Sequence, residues 1–219
     1  VEHYEKCGYR CFYCITDSQG KTRPTVPDLA ALQSAFREEL KLYPTDNYFF
    51  GVSLATDSYN DIEEEYGYTR WIIDELSALN RKFSITTRGP LVVRDIDLFK
   101  RMAPDRYKII ISLACSTYEL AKRVEPQAPS PESRLEAVHR LHAEGVNVCV
   151  QLVWIPELTD TETLLNLLPK GIKVFFQPLE LGHVVEETLD NKRPQFSAAM
   201  SLGKQWSQDE VNRAYIREC

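Results

Sequence analysis

The sequence predicts an α/β protein built on a parallel sheet, and two observations carry that expectation. Short apolar strand candidates alternate with helical patterns almost to the end of the 219-residue chain, which implies parallel strands joined by helical crossovers. The stretch Tyr107–Leu113 (YKIIISL) is a nearly unbroken apolar run, as expected of a strand buried in such a sheet.

The strand candidates in order are Val1–Tyr4, Asn47–Leu54, Lys82–Thr86, Tyr107–Leu113, Val146–Val153 and Ile172–Phe176. Between them, Pro27 opens a helix whose Leu29, Leu32, Phe36 and Leu40 recur at helical spacing. A second helix covers Tyr68–Asn80, and Val92–Asp95 leads into a third that ends near Met102. Ser130-Pro131 has the cap-then-proline pattern of a helix start, and Gly145 closes that helix. Thr159-Asp160-Thr161-Glu162 has the capping-box pattern, and an amphipathic helix runs from about Gln205. On pattern alone an open flavodoxin-like sheet and a partial (β/α) barrel both fit.

Composition is that of a soluble globular domain, with 43% hydrophobic and 26% charged residues, and one domain over 1–219 is expected. No apolar run approaches the ~18 residues of a membrane span. Glu2, His3, Glu5 and Lys6 leave no room for the apolar segment of a signal peptide. The first cysteine lies only six residues in, so a trimmed N-terminus is expected. Net charge is −6, which argues against long nucleic acid as a partner, although a local basic groove is compatible with it. Six cysteines, three of them clustered, fit reduced thiols in a cytoplasm better than a disulfide framework.

The cluster is Cys7-Gly8-Tyr9-Arg10-Cys11-Phe12-Tyr13-Cys14. Three soft thiolates this close suit an iron–sulfur cluster or zinc. In a cubane, three cysteines leave one iron open to an exogenous ligand. A structural zinc completed by His3 or a distant cysteine is the alternative, but zinc modules usually present two paired motifs and this chain has one Cys-x2-Cys. Cys-x3-Cys-x2-Cys with an aromatic residue before the last cysteine resembles the signature of the radical S-adenosylmethionine (SAM) superfamily. The resemblance implies a partial (β/α)6 TIM-like barrel with the cluster loop after the first strand, a core over 1–176 and a C-terminal extension over 177–219. It also implies a [4Fe–4S] cluster on Cys7, Cys11 and Cys14, with Tyr13 near the adenine of S-adenosylmethionine.

Four further stretches resemble the spore photoproduct lyase-like (SplB-type) branch: Ala55-Thr56-Asp57-Ser58-Tyr59, Ser84–Gly89 with Leu91–Leu98, Ser112-Leu113 with Lys122–Leu135, and Trp154–Asp160. Each begins at the C-terminal end of a strand, the face that carries the active site in barrel enzymes. On that basis Thr56 and Asp57 accept from the methionyl amino group, Arg88 takes the methionyl carboxylate, and Ser112 and Glu125 contact the ribose. Each has a plainer reading: Asp57-Ser58 as a turn and cap, Ser112 as a polar strand end, Arg123 and Glu125 as a surface ion pair.

Gln151 shares one face of its strand with Cys149, so it touches substrate if that face points into the barrel. Cys115 lies on the active-site side as a candidate hydrogen donor or a structural thiol, and Cys219 carries no expected role. The chain has no cysteine between Cys14 and Cys115, and Ile15-Thr16-Asp17 follows Cys14. Both depart from spore photoproduct lyases, which carry a cysteine donor near the second strand and commonly a tyrosine after the loop. The function implied is reductive cleavage of S-adenosylmethionine to a 5′-deoxyadenosyl radical that abstracts hydrogen from a small-molecule or peptide substrate. Its reductant would be a flavodoxin or ferredoxin. Radical repair or modification of nucleic acid, and a non-catalytic zinc or iron–sulfur module, are the competing readings.

Overall fold

The computed structural model describes residues 3–4, 7–11, 14, 26–45, 47–154 and 159–178. Among these, five parallel strands form one sheet: β1 Phe49–Val52, β2 Lys82–Thr87, β3 Tyr107–Leu113, β4 Val148–Trp154 and β5 Lys173–Pro178. Their spatial order is β1-β2-β3-β4-β5, each strand beside its neighbour in sequence. A flavodoxin-like sheet reverses its strand order at a switch point. No reversal occurs in this sheet, and its arrangement is that of a partial TIM-like barrel wall.

Among the described residues seven α-helices accompany the strands: α1 Leu29–Leu42, α2 Glu63–Tyr66, α3 Tyr68–Ala78, α4 Ile96–Phe99, α5 Tyr118–Val124, α6 Pro131–Ala143 and α7 Thr161–Asn166. Strand side chains alternate with period two. On β2, Phe83, Ile85 and Thr87 are buried while Lys82, Ser84 and Thr86 are only partly covered. The buried set joins Ile109 and Leu113 of β3 and Val150 and Leu152 of β4 in the main core. Ile72, Ile73 and Leu76 of α3, with Val138 and Leu141 of α6, belong to the same core. One face of the sheet therefore meets the helices, and the other is the barrel interior.

The helix starts agree with expectation at α6, where Ser130 accepts from the Ser133 amide at 3.2 Å and Gly145 follows with φ 73°. At α1 the cap is Asp28, which accepts from the Ala31 amide at 3.0 Å, and Leu29 stands 41% exposed instead of joining the buried stripe. At α7 the cap is Asp160 in place of Thr159. The Thr159 hydroxyl is engaged elsewhere, lying 3.0 Å from the Ala114 carbonyl and 3.1 Å from that of Val153, and so ties the ends of β3 and β4.

His3 and Tyr4 belong to no strand, and Val1 and Glu2 lie outside the described residues. Side chains hold this segment instead of a ladder. His3 Nε2 lies 2.7 Å from Thr69 Oγ1, and the Ser53 hydroxyl lies 3.1 Å from His3 Nδ1. The Tyr4 hydroxyl donates to the fully buried Glu63 carboxylate, which also accepts from the Thr69 amide at 2.9 Å and pairs with Arg94 at 2.6 Å. Beside it, buried Asp95 accepts from the Tyr59 hydroxyl at 2.9 Å and pairs with Arg70 at 2.7 Å. Buried carboxylates are tolerated when hydrogen-bonded and paired, and both are.

Gly89 packs directly on the loop after β1. A Cβ there would stand 2.2 Å from the Tyr59 carbonyl oxygen, a backbone atom with no flexible end to move aside. Gly89→Ala is expected to cost about 3 kcal/mol by overpacking, read as a lower urea midpoint with an unchanged slope. His3 gives a pH-dependent prediction. Burial holds its pKa down to about 3 from the ordinary 6.5, so the folded protein keeps it neutral where the unfolded chain takes up a proton. Its contribution is therefore intact above pH 6.5 and is lost as pH falls below it. Between pH 7.5 and pH 5.5 that loss is about 1.4 kcal/mol. Urea unfolding should show a pH slope flatter by this amount in His3→Gln; an unchanged slope would contradict a neutral buried His3.

Candidate active site

The loops that leave the C-terminal ends of β1, β2 and β3 converge with the cysteine loop. After β1 the chain turns sharply: Ser53 takes φ 52°, the left-handed region unusual for a residue with a side chain. Asp57 follows, 4% exposed. Its carboxylate accepts from the Tyr59 amide at 3.0 Å, the Arg88 amide at 2.7 Å and the Thr87 hydroxyl, fastening the turn to the end of β2. Burial raises its pKa, and these three donors act in the opposite sense. Thr56 stands half-buried in the same turn.

Arg88 projects from the end of β2 and donates from Nε to Glu125 Oε1 at 2.8 Å. Glu125, at the C-terminal end of α5, is fully buried, and its other oxygen lies 2.6 Å from Arg134 Nη2. Arg134 is 1% exposed and also donates to the carbonyls of Pro129 at 2.8 Å and Ser112 at 3.2 Å. The expectation of a surface pair between Arg123 and Glu125 is thus replaced by a buried Arg88–Glu125–Arg134 bridge. No local motif marks Arg134 as a site residue. Its signal was position: Pro131, Arg134, Leu135, Val138 and Leu141 form the buried stripe of α6, and an arginine inside such a stripe requires a buried partner.

The cysteine loop lies against this bridge. The Tyr9 hydroxyl donates to the Tyr59 carbonyl at 2.6 Å, and the Tyr9 carbonyl accepts from the Gln127 amide at 3.2 Å. Arg10 adopts φ 51°, and the Cys14 amide donates to the Cys11 carbonyl at 3.0 Å. Cys11 is buried, while Cys7 and Cys14 are half-buried. Burial pushes the thiols of Cys7 and Cys11 up to about 11 and about 12; the Asp57 charge adds to the rise at Cys7 and Glu125 to that at Cys11, while Arg88 acts in the opposite sense on both. The backbone amides of Tyr9 and Asp57 hydrogen-bond to Cys7. Among the described residues no three His, Cys, Asp or Glu side chains converge on a single-ion site. A cubane makes a different demand, because each cysteine binds its own iron. Three thiols in one short loop, with backbone amides beside Cys7 and an arginine acting on Cys7 and Cys11, suit a thiolate-bound cluster.

Ser112 is fully buried at the C-terminal end of β3, and its hydroxyl has no hydrogen-bond partner among the described residues. An unpaired buried hydroxyl is costly, and a bound polar ligand would remove that cost. In register, Ser112 faces Gln151 across β3 and β4, and Arg88 follows Thr87, which pairs with Ile111. Arg88, Ser112 and Gln151 therefore share one cross-sheet row on the interior face. Gln151 donates to Gln177 of β5. Cys149 also faces inward, buried, with its sulfur 3.7 Å from the Ile109 carbonyl. Cys115 packs in a small apolar cluster with Ala114, Ala121, Val124 and Val153, where burial raises its pKa to about 12. Tyr13 and Cys219 lie outside the described residues.

Residues 1–168 match the Radical SAM superfamily. Among curated proteins, uncharacterized protein MJ0683 of Methanocaldococcus jannaschii is 29% identical over 181 residues, covering 76% of this chain and 64% of the relative. Uncharacterized protein Mb2609c of Mycobacterium bovis is 28% identical over 185 residues, covering 77% and 53%. The chain thus spans between about half and two thirds of the length of these relatives. Among solved structures, a spore photoproduct lyase variant with dinucleoside spore photoproduct superposes with TM-score 0.59 at 15% identity, over 80% of this chain and 53% of that one. The methyltransferase TsrM of Kitasatospora setae, solved with cobalamin and a [4Fe–4S] cluster, gives TM-score 0.58 at 13% identity, over 81% and 33%. At these identities the two structures show the fold. The superfamily match covers most of the chain and shows more: the chain belongs to the radical S-adenosylmethionine superfamily, an enzyme family whose cofactors are a [4Fe–4S] cluster and S-adenosylmethionine.

Proposed function

We propose that this chain carries the catalytic barrel of a radical SAM enzyme acting on a small molecule or peptide, with Cys7, Cys11 and Cys14 as the cluster ligands. The observation that carries the assignment is the convergence of Arg88, which Glu125 holds at the end of β2, with a cysteine loop fastened through Tyr9 to Tyr59 and Gln127. A fixed cation beside the cluster loop suits the methionyl carboxylate of S-adenosylmethionine. When bound, the cluster and S-adenosylmethionine supply a one-electron reductive cleavage that gives methionine and a hydrogen-abstracting 5′-deoxyadenosyl radical.

The chain's own residues bind, orient and enclose. Ser112 offers its unpaired hydroxyl to the ribose, Thr56 and Tyr13 lie in segments suited to the amino group and adenine, and Gln151 faces the substrate. Asp57 and Glu125 serve this site as positioning residues: Asp57 accepts from Tyr59, Thr87 and Arg88, and Glu125 pairs with Arg88 and Arg134. For the final hydrogen donor we assign Cys115, whose raised pKa keeps the thiol protonated as donation requires. A flavodoxin or ferredoxin is the reductant of matching chemistry, in a cytoplasmic setting. No helix among the described residues is long and apolar enough to cross a membrane.

Two experiments test this reading. Cys14→Ala should lose the iron–sulfur chromophore after anaerobic reconstitution and yield no 5′-deoxyadenosine with dithionite, and retained cleavage would remove Cys14 from the ligand set. Arg88→Ala should weaken S-adenosylmethionine binding about 10- to 100-fold, the worth of a charge-assisted hydrogen bond, at unchanged iron content. In the same dialysis assay Glu125→Gln should weaken binding less. It should also destabilise the fold by about 3 kcal/mol, since it leaves buried guanidinium charge unpaired.

A further inference from the structure

The five strands contain three lysines and no aspartate or glutamate, in a chain whose net charge is −6. All three lysines, Lys82, Lys108 and Lys173, fall on the interior face by alternation and register: Phe49 pairs with Lys82, Ser84 with Lys108, and Cys149 with Lys173. Lys108 and Lys173 are exposed, and neither makes an ion pair or hydrogen bond among the described residues. Both act electrostatically on the inward-facing Cys149, which places them around one region of that face.

Depth along the strands gives a length scale. The Ser112–Gln151 row lies at the cofactor end of the sheet. Lys173 lies one row below it and Lys108 two rows below, about 7 and about 13 Å at the rise of a β-strand. Ser84 shares the row of Lys108, and Thr86 that of Lys173 with Ile110 and Cys149 between them; Gln151 and Phe175 stand one row above Lys173 and Gln177 two. A lysine ammonium is a point charge suited to a tetrahedral phosphate, whereas planar carboxylates favour the arginine fork.

We propose that the interior face binds a phosphorylated substrate, with its phosphate at Lys108 and Lys173 and its uncharged polar part against the Ser112–Gln151 row beside S-adenosylmethionine. The span matches a nucleotide-sized molecule, and it equally admits one nucleotide of a single strand. This assignment rests on the radical SAM reading above and names the substrate class for the same site.

The test uses the reconstituted full chain with radiolabelled pyrophosphate as the probe, in equilibrium dialysis at about physiological ionic strength, where exposed charges are screened beyond ~8 Å. The wild type should bind. Lys108→Gln and Lys173→Gln should each weaken binding about tenfold, and the double variant further. Lys41→Gln, which removes the same charge from the exposed end of α1, should change it less than twofold. Competition by a phosphorylated mononucleotide alone identifies a free metabolite, and competition by a short single-stranded oligonucleotide identifies a strand; either supports the phosphate site. No wild-type binding, or equal loss in Lys41→Gln, overturns it. Iron content and substrate-free 5′-deoxyadenosine release, measured on the same preparations, show separately whether the radical SAM reading stands.

Discussion

The active-site end of this barrel depends on one buried carboxylate. Glu125 sits between Arg88 and Arg134 with an oxygen on each, at 2.8 and 2.6 Å. It links the end of β2, the end of α5 and the first turns of α6, which meet here through side chains. Without it the buried Arg134 guanidinium would stand unpaired and would repel that of half-buried Arg88. The backbone two residues on extends the same joint, because the Gln127 amide holds the Tyr9 carbonyl of the cysteine loop. The bridge keeps an excess of one positive charge, and that charge faces the thiols. Its role is best understood as orientation, since a buried ion triad contributes little net stability compared with an apolar packing of the same volume.

A second joint works from the other side. Asp57 fastens the loop after β1 to the end of β2, and Gly89 lets that strand end approach the Tyr59 carbonyl, the same segment that receives the Tyr9 hydroxyl. Behind it, Tyr59 is held by Asp95, and Asp95 by Arg70 and Arg94. Two non-glycine residues adopt left-handed conformations at this end, Ser53 after β1 and Arg10 between two cysteines. Such conformations persist where surrounding contacts over-determine them. The cysteine loop is therefore gripped at Tyr9 from both sides.

Much of this was legible in the chain. Period-two alternation and apolar runs located the five strands within a few residues, because burial against helices dictates side-chain type at every second position. The cysteine loop stands out in the chain because its spacing is short and its chemistry narrow. Arg134 does not, because its partner Glu125 lies nine residues away across a turn and the pair is made only when α6 packs on the sheet. The family resemblance gives Asp57 and Glu125 ligand contacts, and in the structure their carboxylates also hold Tyr59, Thr87, Arg88 and Arg134. Sequence shows that a charge is present without showing which neighbour reaches it first. Thr159 shows the same limit on a smaller scale: its hydroxyl reaches two strand-end carbonyls before it can cap α7.

The two sides of the sheet are under different constraints, and that difference separates fold from reaction. On the helix side, Phe83, Ile85, Ile109, Val150 and Leu152 are buried with no polar alternative that packing would accept. On the interior side, strand positions range from buried Ser112 and Cys149 to exposed Lys108 and Lys173, and Ser, Thr, Gln and Lys stand beside Phe49, Ile110 and Phe175. A spore photoproduct lyase and a methyltransferase both share this fold at 13–15% identity, so the common barrel cannot by itself define what is transformed. What the interior residues can define is charge and hydrogen bonding. A face with three lysines and no acid among its strands, in a chain that is acidic overall, is the charge complement of the anionic substrate group proposed above.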